Sequence, residues 1–160
     1  MAYLGAIAVI LGVYMAWRGY VAFLDEELSS IRAFLTAVTD YRDKMKCYMD
    51  TPTEWAIDYS DERLLECGFL KLLRDGADFR MAYRESRAAV ILTDAADKAL
   101  SSAFDRLGDG YLDTELEVLG VAIDKLAGEE RALSSALGKR RRAAGAVLGA
   151  FASGIVILIM

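Results

Sequence analysis

Two apolar segments frame the chain, and a longer segment that mixes apolar and charged residues lies between them. Residues 2–17 contain no charged side chain, and residues 143–160 contain none either. At about 1.5 Å per residue, a helix of residues 143–160 would be roughly 27 Å long, close to the roughly 30 Å hydrocarbon core of a bilayer. The pattern predicts transmembrane anchors at residues 1–24 and 143–160, with a soluble domain at residues 25–142 between them.

A collar of basic residues adjoins both apolar segments. It consists of Arg18, Lys139, Arg140, Arg141 and Arg142. Arginine and lysine concentrate on the cytoplasmic side of transmembrane helices, so the collar predicts that residues 25–142 are cytoplasmic and that both termini lie on the other side. A signal peptide is the alternative for the first segment. That segment lacks a basic start and a small-residue cleavage site, which favours a retained anchor.

Heptad-like spacing of apolar residues predicts a long helix at each end of the soluble domain. The first, from about Asp25 to Asp50, places Arg42 at one seam position and apolar residues at the others: Leu28, Ile31, Leu35, Val38, Met45 and Met49. The seam of the last helix consists of Leu112, Leu116, Leu119, Ile123, Leu126, Glu130, Leu133 and Leu137. Such a narrow seam favours a single helical partner. We expect the two helices to pair antiparallel, with Met49 near Leu116 and Glu130 within reach of Arg32.

Shorter helices are predicted between the two long ones. Thr51-Pro52-Thr53-Glu54 has the sequence of a helix start, with Thr51 as N-cap, Pro52 at the first helical position and Glu54 completing a capping box. The predicted short helices cover residues 52–59, 62–74, 79–88 and 94–107, with a buried link at 90–92 and a turn at 108–110. The predicted fold class is therefore all-α: a helical bundle built on two long antiparallel helices and flanked by transmembrane helices.

The middle of the chain is acidic, whereas the residues next to the two apolar segments are basic. Without Arg18 and the four cations at 139–142, 14 of the 19 basic residues remain against 24 acidic ones, a formal charge of −10. An acidic surface repels a phosphate backbone, which argues against nucleic-acid binding. The basic collar, in contrast, suits the anionic cytoplasmic face of a membrane.

The residue types argue against catalysis. Histidine is absent, which excludes histidine-based acid–base chemistry and most transition-metal sites. Cys47 and Cys67 are too few and too far apart for a disulfide framework or a zinc site. Mixed charges along predicted helices are typical of solvated surface, which is the expectation for Glu54, Glu66, Glu85 and Glu117. No glycine-rich phosphate loop is present, so we expect no enzyme activity, cofactor, metal or small-molecule substrate.

The order of several short elements resembles the stage III sporulation protein AB family. These elements are a long first helix leading to Tyr48-Met49-Asp50-Thr51-Pro52, a Leu107-Gly108 step, a long helix with Glu129-Glu130 near its end, and the apolar terminus Ile157-Leu158-Ile159-Met160. The resemblance covers most of the chain. Its strength lies in the order of the elements and the two apolar ends.

The resemblance implies a non-enzymatic platform subunit of the channel that joins mother cell and forespore in endospore-forming bacteria. It implies a location in the mother-cell membrane at the forespore boundary. The soluble helices of the family resemble the platform proteins of type II secretion and type IV pilus machines, so the implied partners are an ATPase similar to stage III sporulation protein AA and other channel subunits. The alternative is a membrane sensor whose helical bundle lies outside the cell, which predicts the opposite topology.

Overall fold

The computed structural model describes residues 2–108 and 110–159, and the side chains among these except at 2–10, 13, 140–141 and 144–160. Seven α-helices and one 3-10 turn, Arg87–Ala89, form this part of the chain, and it contains no strand. The helices are α1 (Ala2–Tyr48), α2 (Pro52–Asp58), α3 (Glu62–Glu66), α4 (Phe69–Arg74), α5 (Phe79–Ser86), α6 (Asp94–Phe104) and α7 (Leu112–Ile159). The all-helical class is confirmed.

The chain forms two compact units. Residues 26–130, called the bundle from here on, contain the last part of α1, helices α2 to α6 and the first part of α7. The second unit contains the outer parts of α1 and α7, up to Asp25 and from Arg131. The prediction that a helix begins near Asp25 is wrong, because α1 runs through this residue without a break. No proline stands there to interrupt a helix that is already nucleated.

The predicted anchors lie mostly outside the described side chains, at residues 2–10 and 144–160. Within the part of the chain that was described, no helix has the length and apolar character needed to cross a membrane.

The core of the bundle is built from aromatic rings contributed by five helices. The buried rings are those of Phe34, Tyr41, Trp55, Phe69, Phe79, Tyr83 and Phe104. Phe34 and Phe69 meet edge to face with their ring centres 5.2 Å apart, and Phe79 stacks on Phe104 at 5.1 Å. Such pairs each add about 0.5–1.5 kcal/mol beyond the area they bury. The short helices are therefore held in place by packing rather than by their own helical propensity.

Helices α1 and α7 run antiparallel within the bundle. Arg32 Nη2 lies 2.6 Å from Glu130 Oε1. Further along α1, the Arg42 guanidinium lies 3.5 Å from the point where a Cβ on Gly120 would stand. Ten residues forward on α1 correspond to ten residues back on α7, which is the register of an antiparallel pair. The predicted direction and the predicted Arg32–Glu130 contact are confirmed.

Helix α2 begins with the predicted capping box. The Glu54 amide donates to Thr51 Oγ1 at 3.3 Å, and the Thr51 amide donates to Glu54 Oε2 at 2.9 Å. Pro52 occupies the start of the helix, where its missing amide hydrogen costs nothing. Asp61, Asp78 and Thr93 cap α3, α5 and α6 by the same side-chain contact with the backbone.

The single helix predicted at residues 62–74 is instead two helices, α3 and α4. The break is at Cys67 and Gly68, where Gly68 adopts a φ of 88° that glycine accepts without steric cost. Helix α6 ends at Phe104 rather than at residue 107, and α5 ends at Ser86 and continues as the 3-10 turn. Residues 90–92 form the predicted link with Val90 and Leu92 buried.

Helix α1 ends at Tyr48, two residues earlier than predicted. The residue that precedes a proline avoids helical backbone angles, and Thr51 is extended, so the chain must leave the helix before it. Met49 makes this exit with a φ of 58°, in a region where side chains are disfavoured. The prediction that Met49 packs in the seam near Leu116 is wrong, because Met49 is 72% exposed.

Candidate protein-docking surface

The ten residues of the predicted helix-pairing seam differ in burial. The buried ones are Leu28, Val38, Met45, Leu119, Leu126 and Leu137, of which Leu119 and Leu126 are fully buried. Those half-buried are Leu35, Leu116, Ile123 and Leu133. Residue-by-residue pairing across this seam stays a prediction. The core also includes α1 residues that the seam omitted, such as Phe34 and Ala37, because this helix packs against the short helices as well as against α7.

The basic collar is described only in part. Arg18, Lys139 and Arg142 are exposed, and Arg142 Nε donates to the Gly138 carbonyl at 3.2 Å. The side chains of Arg140 and Arg141 lie outside the described residues. Both helices of the second unit thus carry exposed cations, which would attract an anionic surface.

Carboxylates cover much of the bundle surface. Glu54, Glu66, Glu85 and Glu117 are exposed, as predicted. Among the described residues, no cluster of potential metal-ligating side chains is present. The exposed carboxylates form a negatively charged surface.

A hydrogen-bond network at the edge of the core joins α5, the 3-10 turn and α6. The Tyr83 hydroxyl donates to Asp97 Oδ1 at 2.6 Å, and Arg87 Nε donates to the same oxygen. Burial alone raises the pKa of Asp97, but the hydrogen bonds from Tyr83 and Arg87 outweigh it and leave the pKa lowered. This network fixes helix packing.

Glu27 is a second carboxylate with an altered environment. It is buried on α1, and burial followed by the nearby charge of Glu129 raises its pKa. Glu129 accepts a hydrogen bond from Thr93 Oγ1 at 3.0 Å.

Surface depressions lie on the bundle, among them a cavity and a groove. A cavity of about 110 Å³ between α6 and α7 has a floor of Ala99, Ala103 and Ala122. A shallow polar groove runs between α1 and α3, past Arg32 and Glu62. The groove is open to solvent, whereas pockets that bind small molecules are usually enclosed and mostly apolar.

The most exposed large apolar side chains lie at one end of the bundle. Tyr48 is 73% exposed, Met49 72% and Tyr111 88%, the three highest values among the exposed large hydrophobic residues described. We call these three residues the tip patch. Heptad spacing did not indicate this patch, since that pattern assigns Met49 to the seam. The signal was Pro52, which requires α1 to end early and leaves Tyr48 and Met49 outside the core.

Comparison with known proteins gives a fold relationship. No family model matches the chain, and no curated protein matches it. Among solved structures, the chain is similar in fold to a sporulation protein, over 71% of its own length and 97% of the other chain. That structure is stage III sporulation protein AB (SpoIIIAB), with a TM-score of 0.56 and 14% sequence identity. At this identity the similarity shows a shared fold.

Proposed function

We propose that this chain is a non-enzymatic membrane platform of the mother cell–forespore channel that docks a cytoplasmic secretion-type ATPase. The observation that carries the proposal is the fold similarity to SpoIIIAB, which extends over 97% of that chain. The resemblance in the order of sequence elements, read independently of the fold, supports the same assignment. The partner that we propose is an ATPase similar to stage III sporulation protein AA.

The bundle has the physical properties that such a platform needs. Its aromatic core joins α1 to four of the short helices. This packing favours a rigid body that can transmit force without catalysing a reaction. Its surface carboxylates would steer a partner that has a basic face, and such steering acts mainly on the association rate and on its dependence on salt. The seam between α1 and α7 would keep the two long helices together under load.

The membrane part of the proposal concerns residues 1–24 and 143–160. We propose that these segments anchor the protein in the mother-cell membrane and that residues 25–142 lie in the cytoplasm. The exposed Arg18, Lys139 and Arg142 support this orientation, because cations beside an apolar segment remain on the cytoplasmic side.

Co-purification tests the function directly. The full-length chain, extracted from membranes in detergent, should retain the ATPase, and titration calorimetry should show binding that weakens as salt rises. A Leu119→Asp variant, whose bundle core is disrupted, is the matched control and should retain none. Absence of binding by the wild-type chain, both at low salt and in co-purification, would contradict the partner assignment.

A further inference from the structure

We infer that the tip patch is the surface through which the bundle binds its partner, and that the partner offers apolar pockets bordered by basic side chains. The inference deepens the proposed function and rests on it, because the partner is the ATPase named there. Tyrosine and other large apolar side chains dominate the energy of protein interfaces when they fill pockets. Three of them, each more than 70% exposed, make up the patch.

The tip patch is brought together by the antiparallel register of α1 and α7. Since Arg42 lies beside Gly120, the last turn of α1 lies level with the first turn of α7. Tyr48 is the last residue of α1, Met49 follows it, and Tyr111 directly precedes α7. Gly108 is held near the first turns of α7, because its amide donates to Glu115 Oε1 at 2.9 Å. Residues more than sixty positions apart in sequence therefore share one end of the bundle.

Met49 shows that this end is not optimised for stability. Its backbone has a φ of 58°, and it is the single described non-glycine residue with positive φ. Gly68, Gly76 and Gly108 occupy the other such positions. Glycine is the usual residue where a helix ends in this way. A methionine that is strained and 72% exposed adds little to the core, and a contact with a partner would account for its side chain.

The charges around the patch indicate the chemistry of the occupant. Asp50 follows Met49, and Asp113 and Glu115 lie in the first turn of α7. Burial raises the pKa of Tyr41, and the charges of Glu115 and Asp50 raise it further. Both carboxylates therefore lie near the Tyr41 side chain. The Lys44 ammonium lies over the Tyr48 ring, 5.6 Å from its centre, and is engaged by the patch. Lys46 is a further cation, exposed in the last turn of α1. The three carboxylates outnumber these two lysines, so basic side chains on the partner complement this border.

Substitutions in the full-length chain test the assignment by titration into the purified ATPase. Tyr48→Ala and Tyr111→Ala should each raise Kd at least about tenfold, as expected for interface anchors. Met49→Gly should also raise Kd, yet its melting temperature should equal or exceed that of the wild type, because glycine relieves the backbone. Met81→Ala removes a half-exposed side chain on α5 and should leave Kd unchanged.

The outcomes separate this inference from the proposed function. Wild-type binding that survives all three tip substitutions would overturn the tip assignment and leave the platform function standing. No binding by the wild type would overturn both. Light scattering of the same variants tests whether the patch instead binds a second copy of the chain. If the substitutions abolish self-association and leave the ATPase affinity unchanged, the patch is a self-association surface and the inference is overturned.

Discussion

Arg32 on α1 and Glu130 on α7 are joined by an ion pair, although 98 residues separate them in the chain. Arg32 Nε also donates to the same Glu130 oxygen at 2.8 Å. The pair lies at a partly exposed edge of the bundle, so it fixes the alignment of the two helices more than it stabilises the fold.

A double-mutant cycle measures this contribution. Arg32→Ala and Glu130→Ala should show a coupling energy of about 0.2–1 kcal/mol in chemical unfolding, falling as salt rises. Arg32→Ala combined with Glu117→Ala is the control and should show no coupling, because Glu117 is exposed on a different turn of α7. A coupling above 2 kcal/mol would indicate a buried pair and contradict the observed exposure.

The burial of Leu119 predicts that a single charged substitution there will strongly destabilise the bundle. Leu119 is 0% exposed, so Leu119→Asp should destabilise the bundle by at least about 3 kcal/mol, through lost packing and an unpaired carboxylate. Val121→Asp makes a similar chemical change at a side chain that is 50% exposed on the same helix, and it should cost much less. Glu117→Ala should change stability by less than about 0.5 kcal/mol. Circular dichroism melts of the full-length variants provide the measurement, and equal midpoints would disprove burial of α7.

We predict that loss of the Tyr83–Asp97 hydrogen bond lowers the free energy of unfolding by an amount that depends on pH. Tyr83→Phe should destabilise the bundle by about 1–2 kcal/mol at pH 7, because Asp97 loses a donor. The folded pKa of Asp97 lies below its unfolded value near 3.8, so its contribution is present above that pH and is lost as pH falls through the folded pKa. The difference between wild type and Tyr83→Phe should therefore shrink below about pH 4.

Tyr111→Phe is the control for the loss of a hydroxyl group, since Tyr111 is almost fully exposed. It should leave unfolding unchanged at both pH values. A Tyr83→Phe cost that stays constant from pH 7 to pH 2.5 would show that the charge of Asp97 does not contribute.

Thiol labelling addresses the predicted topology. In variants that lack Cys47 and Cys67, a cysteine at Ser135 should resist an impermeant reagent in intact cells and react after permeabilisation. A cysteine added after Met160 should react in intact cells. The reverse pattern would place the bundle outside the cell, as in the membrane-sensor alternative.

Local signals were predictable from the sequence, and contacts between distant segments were less so. The capping box at Thr51 depends on two residues three positions apart, so it could be predicted from the sequence alone. The Gly68 break was missed because glycine is compatible with a continuous helix and the choice is made by packing of α3 and α4. The aromatic core combines rings from five helices, which no periodicity encodes.

The candidate site shows the same division. The acidic surface could be predicted because charge is a property of composition. The tip patch could not, since it required both the true end of α1 and the register that brings Tyr111 to the same end. Heptad spacing extended the seam to Met49, whereas Pro52 ended the helix first.

The aromatic core has a consequence for the order in which the chain folds during synthesis. Every ring contact described within the bundle joins residues between Phe34 and Phe104, and residues 112–130 contain no aromatic residue. The ring cluster can therefore assemble while α7 is still inside the ribosome, since domains form from their N-terminal side as they emerge. Helix α7 then joins last, through aliphatic side chains such as Leu119 and Leu126. Hydrogen exchange should accordingly show α7 opening at a lower free energy than α4 and α5, and equal protection would contradict this order.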